Sequence, residues 1–516
     1  MDKQLKKIYL YIGIFVAIIF IGAAYAFFTA GMSSETSTTI RADAGTMKIT
    51  YDGGANIDLA GIYPKDDVWA TKTITVTGNN TTDADMYYKL TLVVDSNTFK
   101  TDDPLQYELV STNTSTNGEI IPNISKTDIT GTSIELGSGH FVKANNAKHT
   151  YLLKIYYPKK ATSQNANQGA SFSAHVEITS AKAPKTNGKL SELVLYNNEV
   201  KAPITTPGAA VSTASEALLA STEDDYGTSY YFRGAVTNNY VEFANKCWRV
   251  VRVGGDGSVK LILHNDNTAG AANPCDAANN SASAAFARYS DTTYKSAFNS
   301  SYNDNAYVGF KYGTIGASDY ASAHANTNNS TILTNLETWY NNNLKAYEKV
   351  IEDNIWCTDK TTITDTTFNP LSSGGNATGL GYGTNKTYYG ATQRLVSSSN
   401  SAGGTGLSLK CNGELSKINS KVGLITADEL AYAGYIDWMR NTTTYLQENA
   451  TDTYWWSLSP YGFLGDGAHV WNVRGGNGDI DISIVNSTGG VRPSISLKPS
   501  TNVTGEGTSD KPYVVD

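Results

Sequence analysis

The chain has 516 residues, and at roughly 100–200 residues per domain that length makes about three domains, or two with tails. Charged residues are only 17% of the chain and the net charge is −8, so the basic stripe needed to bind a phosphate backbone is missing and no nucleic-acid partner is expected. With 33 Tyr, 46 Gly and abundant Thr, Ser and Asn against 13 Pro and 5 Met, the composition is that of a β-rich, loop-heavy protein and excludes a helical bundle.

Lys3, Lys6 and Lys7 precede an uncharged run over residues 8–30. Positive charge before an apolar stretch holds the N-terminus in the cytoplasm, so everything beyond about residue 30 is expected to be exported, to the cell surface or secreted. The run is long enough to span a bilayer, which takes about 20 residues, yet Ala24-Tyr25-Ala26 is also a small-x-small cleavage signal. Residues 1–30 are therefore read as either a signal peptide or an N-terminal membrane anchor.

Short strand-like runs follow at 47–51, 69–76, 86–94, 105–110, 149–157 and 170–179, separated by turn clusters. In residues 71–76 and 88–93 apolar and polar side chains largely alternate, which gives each strand one wet face. The spacing predicts an all-β, immunoglobulin-like sandwich over residues 31–181. The segment Ala24-Tyr25-Ala26-Phe27-Phe28, then Ala44-Gly45-Thr46-Met47 and Gly61-Ile62-Tyr63-Pro64-Lys65-Asp66 before a Thr-rich strand, resembles the camelysin and TasA group of secreted Bacillus-type matrix proteins. That resemblance covers about 150 residues and implies a matrix-forming role.

Residues 182–227, with Pro184, Pro203, Pro207 and a Ser/Thr/Ala stretch, are read as a linker carrying short helical turns at 190–195 and 214–219. The C-terminal domain is placed at 228–500, with a tail at 501–516. Its first firm element is a hairpin, 247–253 and 258–263, joined by Gly254-Gly255-Asp256-Gly257. From Ile332 the apolar positions Leu336, Tyr340, Leu344, Tyr347 and Ile351 recur at helical spacing, with Thr334-x-x-Glu337 as a capping box. A second, short helix starts at Thr426-Ala427-Asp428-Glu429 and ends near Met439. Gly379-x-Gly381-x-Gly383 has neither a leading strand nor a following helix and is read as a loop, not a phosphate cradle.

All four cysteines lie in this domain, where export makes disulfides accessible. Of the three possible pairings, Cys247–Cys275 and Cys357–Cys411 are expected, because the hairpin partner of Cys247 runs towards Cys275 while Cys357 ends a helix and Cys411 a later strand-like stretch. No zinc signature is present.

The helix start Leu424-Ile425-Thr426-Ala427-Asp428-Glu429, the strand Tyr454-Trp455-Trp456-x-x-Ser459 and the closing Gly490-Val491-Arg492-Pro493 resemble the C-type-lectin-like fold of the superfamily shared with formylglycine-generating enzymes. Tyr231-Phe232-Arg233-Gly234 and Asn238-Asn239-Tyr240-Val241 resemble the opening of exported proteins of gut Bacilli-type bacteria that end in this module. The resemblance covers about 270 residues and implies an α+β, C-type-lectin-like head. Enzymatic members of the superfamily use a cysteine pair in the last third, and this chain has no cysteine beyond Cys411, so no enzyme is expected.

Two constellations are candidates for a binding site. Trp455, Trp456, Trp471 and Tyr454 lie beside a Gly/Asp loop and form a candidate aromatic platform for a sugar ring, with His469 as a further candidate ligand-binding residue. Asp466, Asp479 and Asp481, near Asn472 and Asn477, offer oxygen ligands that suit calcium, the one cofactor considered. Packing and solvated acids are the plain alternatives. Arg492 is read as structural, tying strand ends or a carboxylate such as Glu429. The sequence thus describes a sandwich and a head that binds a glycan, or a protein of a host or neighbouring cell, with the membrane as a further partner if the anchor is kept. A structural matrix protein is the second reading and a formylglycine-generating enzyme the third.

Overall fold

The computed structural model describes residues 38–516 apart from 44–45, 81–84, 114–116, 182–183, 204, 206, 208–215, 291–292, 372–374, 376, 399–402, 438–439 and 441–442. The export segment at 1–30 lies outside the described residues; among those described, no helix is long and apolar enough to cross a membrane. The protein is β-rich and forms two compact units, residues 1–183 and 184–516.

The first unit contains β1 (Thr38–Asp43), β2 (Thr46–Asp52), β3 (Ile57–Ala60), β4 (Lys65–Asn80), β5 (Met86–Asn97), β6 (Gln106–Ser111), β7 (Gly118–Glu119), β8 (Ile124–Asp128), β9 (Ser133–Phe141), β10 (Ala144–Tyr157) and β11 (Ser171–Ser180). They form a six-stranded sheet in the order β1-β2-β4-β10-β6-β8 and a five-stranded sheet in the order β3-β11-β5-β9-β7. Alternation turns Ile74, Val76, Tyr151, Leu153 and Ile155 of one sheet, and Tyr88, Leu90, Leu92 and Val176 of the other, into one shared core. The six strands read from the sequence are β2, β4, β5, β6, β10 and β11. Of the remainder, β9 carries two glycines, and Gly137 adopts φ +122°, which hid its alternation.

In the second unit the linker assignment fails. Asn187–Lys189 pairs with Asn502–Thr504 in a nine-stranded sheet, and the helix Leu190–Asn197 sends Leu190, Leu193 and Val194 into the main core. The stretch expected to be helical near 214–219 is instead the start of the strand Ala217–Asp224, paired along its length with Gly227–Gly234. The supposed tail is equally integral: Asn502–Thr504 pairs with Tyr513–Val515, and Val503 and Tyr513 are fully buried. Apolar side chains with somewhere to pack override local Pro and Ser/Thr composition.

The predicted hairpin is present as Lys246–Val253 against Val259–Asn265, which also pairs with Ser494–Leu497. A second sheet orders Lys295–Ala297, Thr488–Gly490, Trp455–Phe463, Ala468–Val473 and Ile480–Ile484, with Thr387–Tyr388 also pairing with Trp455–Phe463. The helix Thr331–Asn343 is capped by Ser330, whose Oγ accepts from Leu333 N at 3.2 Å, so Thr334 is not its cap; Tyr347 and Ile351 lie beyond its end. Both expected disulfides form, closing sequence separations of 28 and 54 residues. Cys357, however, ends the strand Asn354–Cys357 rather than a helix, and Cys411 lies outside any strand. Two such bridges belong to an oxidising environment.

The burial of the former linker has a measurable consequence. Leu193→Ala removes a fully buried side chain from the second unit, and its cost is expected at about 2–5 kcal/mol. Trp69 is the sole tryptophan before residue 184, so urea unfolding followed by tryptophan fluorescence reads the second unit almost alone, and its midpoint should drop.

Candidate functional site

The tryptophans expected to grip a sugar are core. Every residue of Trp455–Phe463 is buried, and Trp455, Trp456 and Trp471 are at most 1% exposed. Trp456 donates through Nε1 to Ser296 O at 2.8 Å and meets Tyr454 and Phe298 edge-on. Trp471 packs edge-on against Tyr461 at 4.9 Å, and the Arg492 guanidinium lies 4.9 Å from the Trp455 ring. A strand covered on both faces places side chains of either parity in the interior, so no platform remains for a ligand. Arg492 is structural as expected, but it joins the strand Val259–Asn265 to a turn, through Leu263 O and Leu446 O, rather than strand ends or Glu429.

The other expected site residues separate. Asp466 is exposed, Asn477 half-buried, and His469 half-buried with Nδ1 donating to Gly467 O at 2.9 Å; burial lowers the His469 pKa. Asp479 and Asp481 are buried rather than solvated. Asp481 pairs with Arg474, and Asp479 and Asp481 lie near Asp437, whose buried carboxylate oxygens have no hydrogen-bond partner among the described residues. Burial, reinforced by Asp481 and Asp479, pushes the Asp437 carboxyl up to about 8. Among the described residues no group of three or more His, Cys, Asp or Glu is spaced to hold a metal ion, so these aspartates do not assemble the expected calcium site.

The structure instead concentrates its charge around the short helix Ala427–Ala433. The sequence sets this helix by a capping box: Thr426 Oγ1 accepts from Glu429 N at 3.1 Å, and Thr426 N donates to Glu429 Oε2 at 2.9 Å. Gly434, with φ +115°, ends it in the left-handed region, short of Met439, which lies outside the described residues. All seven helical residues are buried, including Asp428 and Glu429, and two sets of cations hold those acids. Arg394 grips Asp428 through Nε at 2.7 Å and Nη2 at 2.8 Å, and reaches Asp359 Oδ2 with Nη1 at 2.6 Å. Glu429 Oε1 accepts from Lys260 Nζ at 2.7 Å and Arg252 Nε at 3.0 Å, while Arg252 Nη1 holds Asp224 Oδ2 at 2.8 Å.

Burial raises the Glu429 pKa, but Lys260, Arg252 and the capping hydrogen bond overcome it and hold the carboxyl at about 2. Beneath Asp359, Lys360 Nζ is buried and donates to Lys311 O, His324 O and Asn326 Oδ1, which pins the chain where it enters the site; burial brings its pKa down to about 7.

These networks line a small inner cleft of about 50 Å3, room for a few waters, which also meets the Cys357–Cys411 bridge, Asp225, Lys410 and the exposed Tyr226. A second groove of about 280 Å3 shares Asp359 and Arg394 with it and is otherwise lined mainly by threonine hydroxyls, glycines and the amides of Gln393 and Asn412. Of the cleft residues the sequence reading singles out Thr426, Asp428, Glu429, Ser459 and the two cysteines. The available signal was local: Arg252 lies between Val251 and Val253 and Lys260 between Val259 and Leu261, in strands where an unpaired buried charge would be costly. Their partners come from segments 28 to 177 residues away, which no local pattern reveals. The sequence matches no protein-family model and no curated protein.

Two pH effects of opposite sign follow. Glu429, depressed in the folded chain, stabilises it above its unfolded value of about 4.3, and that contribution, about 3 kcal/mol, is lost as pH falls from there through about 2. Glu429→Gln should flatten the acid limb of a melting-temperature profile. Asp437, raised in the folded chain, costs nothing below its unfolded value of about 3.9 and progressively more as pH rises through about 8. Asp437→Asn should therefore raise the melting temperature near about pH 9 and change it little near about pH 4.

Proposed function

We propose that the chain is an exported surface protein whose N-terminal unit is an immunoglobulin-like sandwich and whose C-terminal unit is a C-type-lectin-like recognition head. Export is supported by the lysine-flanked apolar segment at 8–30 and by two disulfides. The observation that carries the head reading is the paired cleft: Asp224, Asp359, Asp428 and Glu429 are each locked to an arginine or lysine, which gives a rigid polar surface and leaves none of these acids free as a general base. Fixed polar groups around a small concavity suit binding of a glycan or of a protein loop better than catalysis.

A second reading, a matrix protein, is favoured by the edge of the six-stranded sheet. In β8 the four residues Ser125, Lys126, Thr127 and Asp128 are exposed, and one side of its backbone faces no further strand of that sheet. Such an edge can accept a strand from another copy.

Protease added to cells stripped of their wall should degrade everything beyond about residue 30, and protection of the second unit would overturn export. The purified full-length chain is expected to stay monomeric and to retain a glycan or protein ligand on arrays. Fibres that form without any array ligand would favour the matrix instead.

A further inference from the structure

The 280 Å3 groove is the larger of the two cavities, near the lower end of small-molecule sites, about 300 Å3. Its floor is the Asp359–Arg394 ion pair, and that pair reaches the groove because residue 390 has no side chain. A Cβ on Gly390 would lie 2.4 Å from Asp359 Oδ2 and 3.0 Å from Arg394 Nη1. The walls carry hydrogen-bonding groups still to be used. The side-chain amides of Gln393 and Asn412 have no partner among the described residues, and neither has the hydroxyl of Thr362. The Thr405 hydroxyl makes one long bond, 3.3 Å to Gln393 O.

Each class of ligand meets a different response from this surface. An anion finds Arg394 already neutralised by two carboxylates, Asp428 and Asp359, and the three charges sum to −1. A phosphate or carboxylate would therefore be repelled, or would have to displace an ion pair. An apolar or aromatic anchor finds Ile363 as the one hydrophobic lining side chain, and that residue is only 3% exposed. The desolvated pocket on which protein hot spots depend is absent. A neutral ring bearing several hydroxyls finds amides and hydroxyls that can both donate and accept, over a floor that presents a carboxylate next to a guanidinium.

We infer that the groove bounded by Asp359, Gly390, Gln393, Arg394, Thr405 and Asn412 binds a neutral sugar residue. This rests on the reading of the second unit as a recognition head and assigns that head its ligand class and site. No aromatic face lines the groove, so binding rests on hydrogen bonds exchanged against water, and one ring should bind weakly, with a dissociation constant on the order of 1 mM.

The test is titration of the full-length protein, followed by NMR saturation transfer and calorimetry. The probes are methyl glucoside, methyl galactoside and N-acetylglucosamine, set against glucuronic acid and glucose phosphate. At least one neutral sugar should bind and the two anions should not. Gln393→Ala and Asn412→Ala should each weaken binding roughly 3- to 10-fold, the loss of one or two neutral hydrogen bonds, and both should keep the wild-type melting temperature because those amides have no partner among the described residues. Thr405→Arg should abolish binding by filling the groove. Preference for either anion, or a neutral sugar whose affinity ignores all three variants, overturns the groove assignment. Array binding of a protein or charged glycan that ignores the three variants likewise overturns it but leaves the recognition head standing, whereas a chain that retains no ligand on any array loses both.

Discussion

The second unit depends on how two adjacent acids, Asp428 and Glu429, are kept charged in the interior. Residues next to each other on a helix point in different directions, so one buried turn must find two separate sources of positive charge. Arg394 answers one and the Arg252–Lys260 pair of the hairpin answers the other. Removing either side would strand a buried charge, a loss typically of about 3–5 kcal/mol, while an intact pair is close to neutral against a hydrophobic replacement. The network is therefore better understood as a specifier of geometry than as a source of stability. It fixes where the hairpin, the capped helix and the chain around Asp359 meet, and both cavities lie at that meeting point.

Around this polar centre the apolar core is continuous from Leu190 to Tyr513, and that continuity decides the extent of the fold. The segment after residue 184 and the penultimate strand pair with each other through Asn187–Lys189 and Asn502–Thr504, bringing the two ends of the unit to the same edge of one sheet. The first unit reaches the same end by other means, with strict alternation and a core shared by two sheets.

What the sequence made legible was whatever is set by neighbours in the chain. The capping box at Thr426, the Gly254–Gly257 hairpin turn and the alternation of residues 71–76 and 88–93 are local rules, and each appears as read. Both disulfides form as expected, although of the reasons for the pairing only the hairpin that starts at Cys247 is present, since Cys357 ends a strand and Cys411 lies outside any strand. The linker and tail were misread because Pro, Ser and Thr content was weighed above Leu190, Leu193, Val503 and Tyr513, whose burial depends on partners hundreds of residues away. The aromatic site failed for a related reason. Tyr454-Trp455-Trp456 beside a glycine-rich turn reads the same whether the strand lies on a surface or between two layers, and only the layers decide. Conversely, Arg394 and Asp359, flanked by Gln, Leu, Thr and Lys, carry no mark of the cleft they build.

The Cys357–Cys411 bridge encloses a 54-residue interval, and every residue lining the larger groove except Asn412 falls inside it. The groove lining is thus nearly a single cassette, clasped at its neck by a covalent bond and seated on sheets drawn mostly from elsewhere in the chain. Doubling the length of such a closed loop adds only about 0.6 kcal/mol of closure entropy, so its exposed stretches can be lengthened at little cost, whereas Arg394, which holds Asp428, and the buried Tyr388, Tyr389 and Leu395 tie it to the rest of the unit. The architecture thus separates a clasped loop surface, open to change at its exposed positions, from the buried anchors that seat it in the fold.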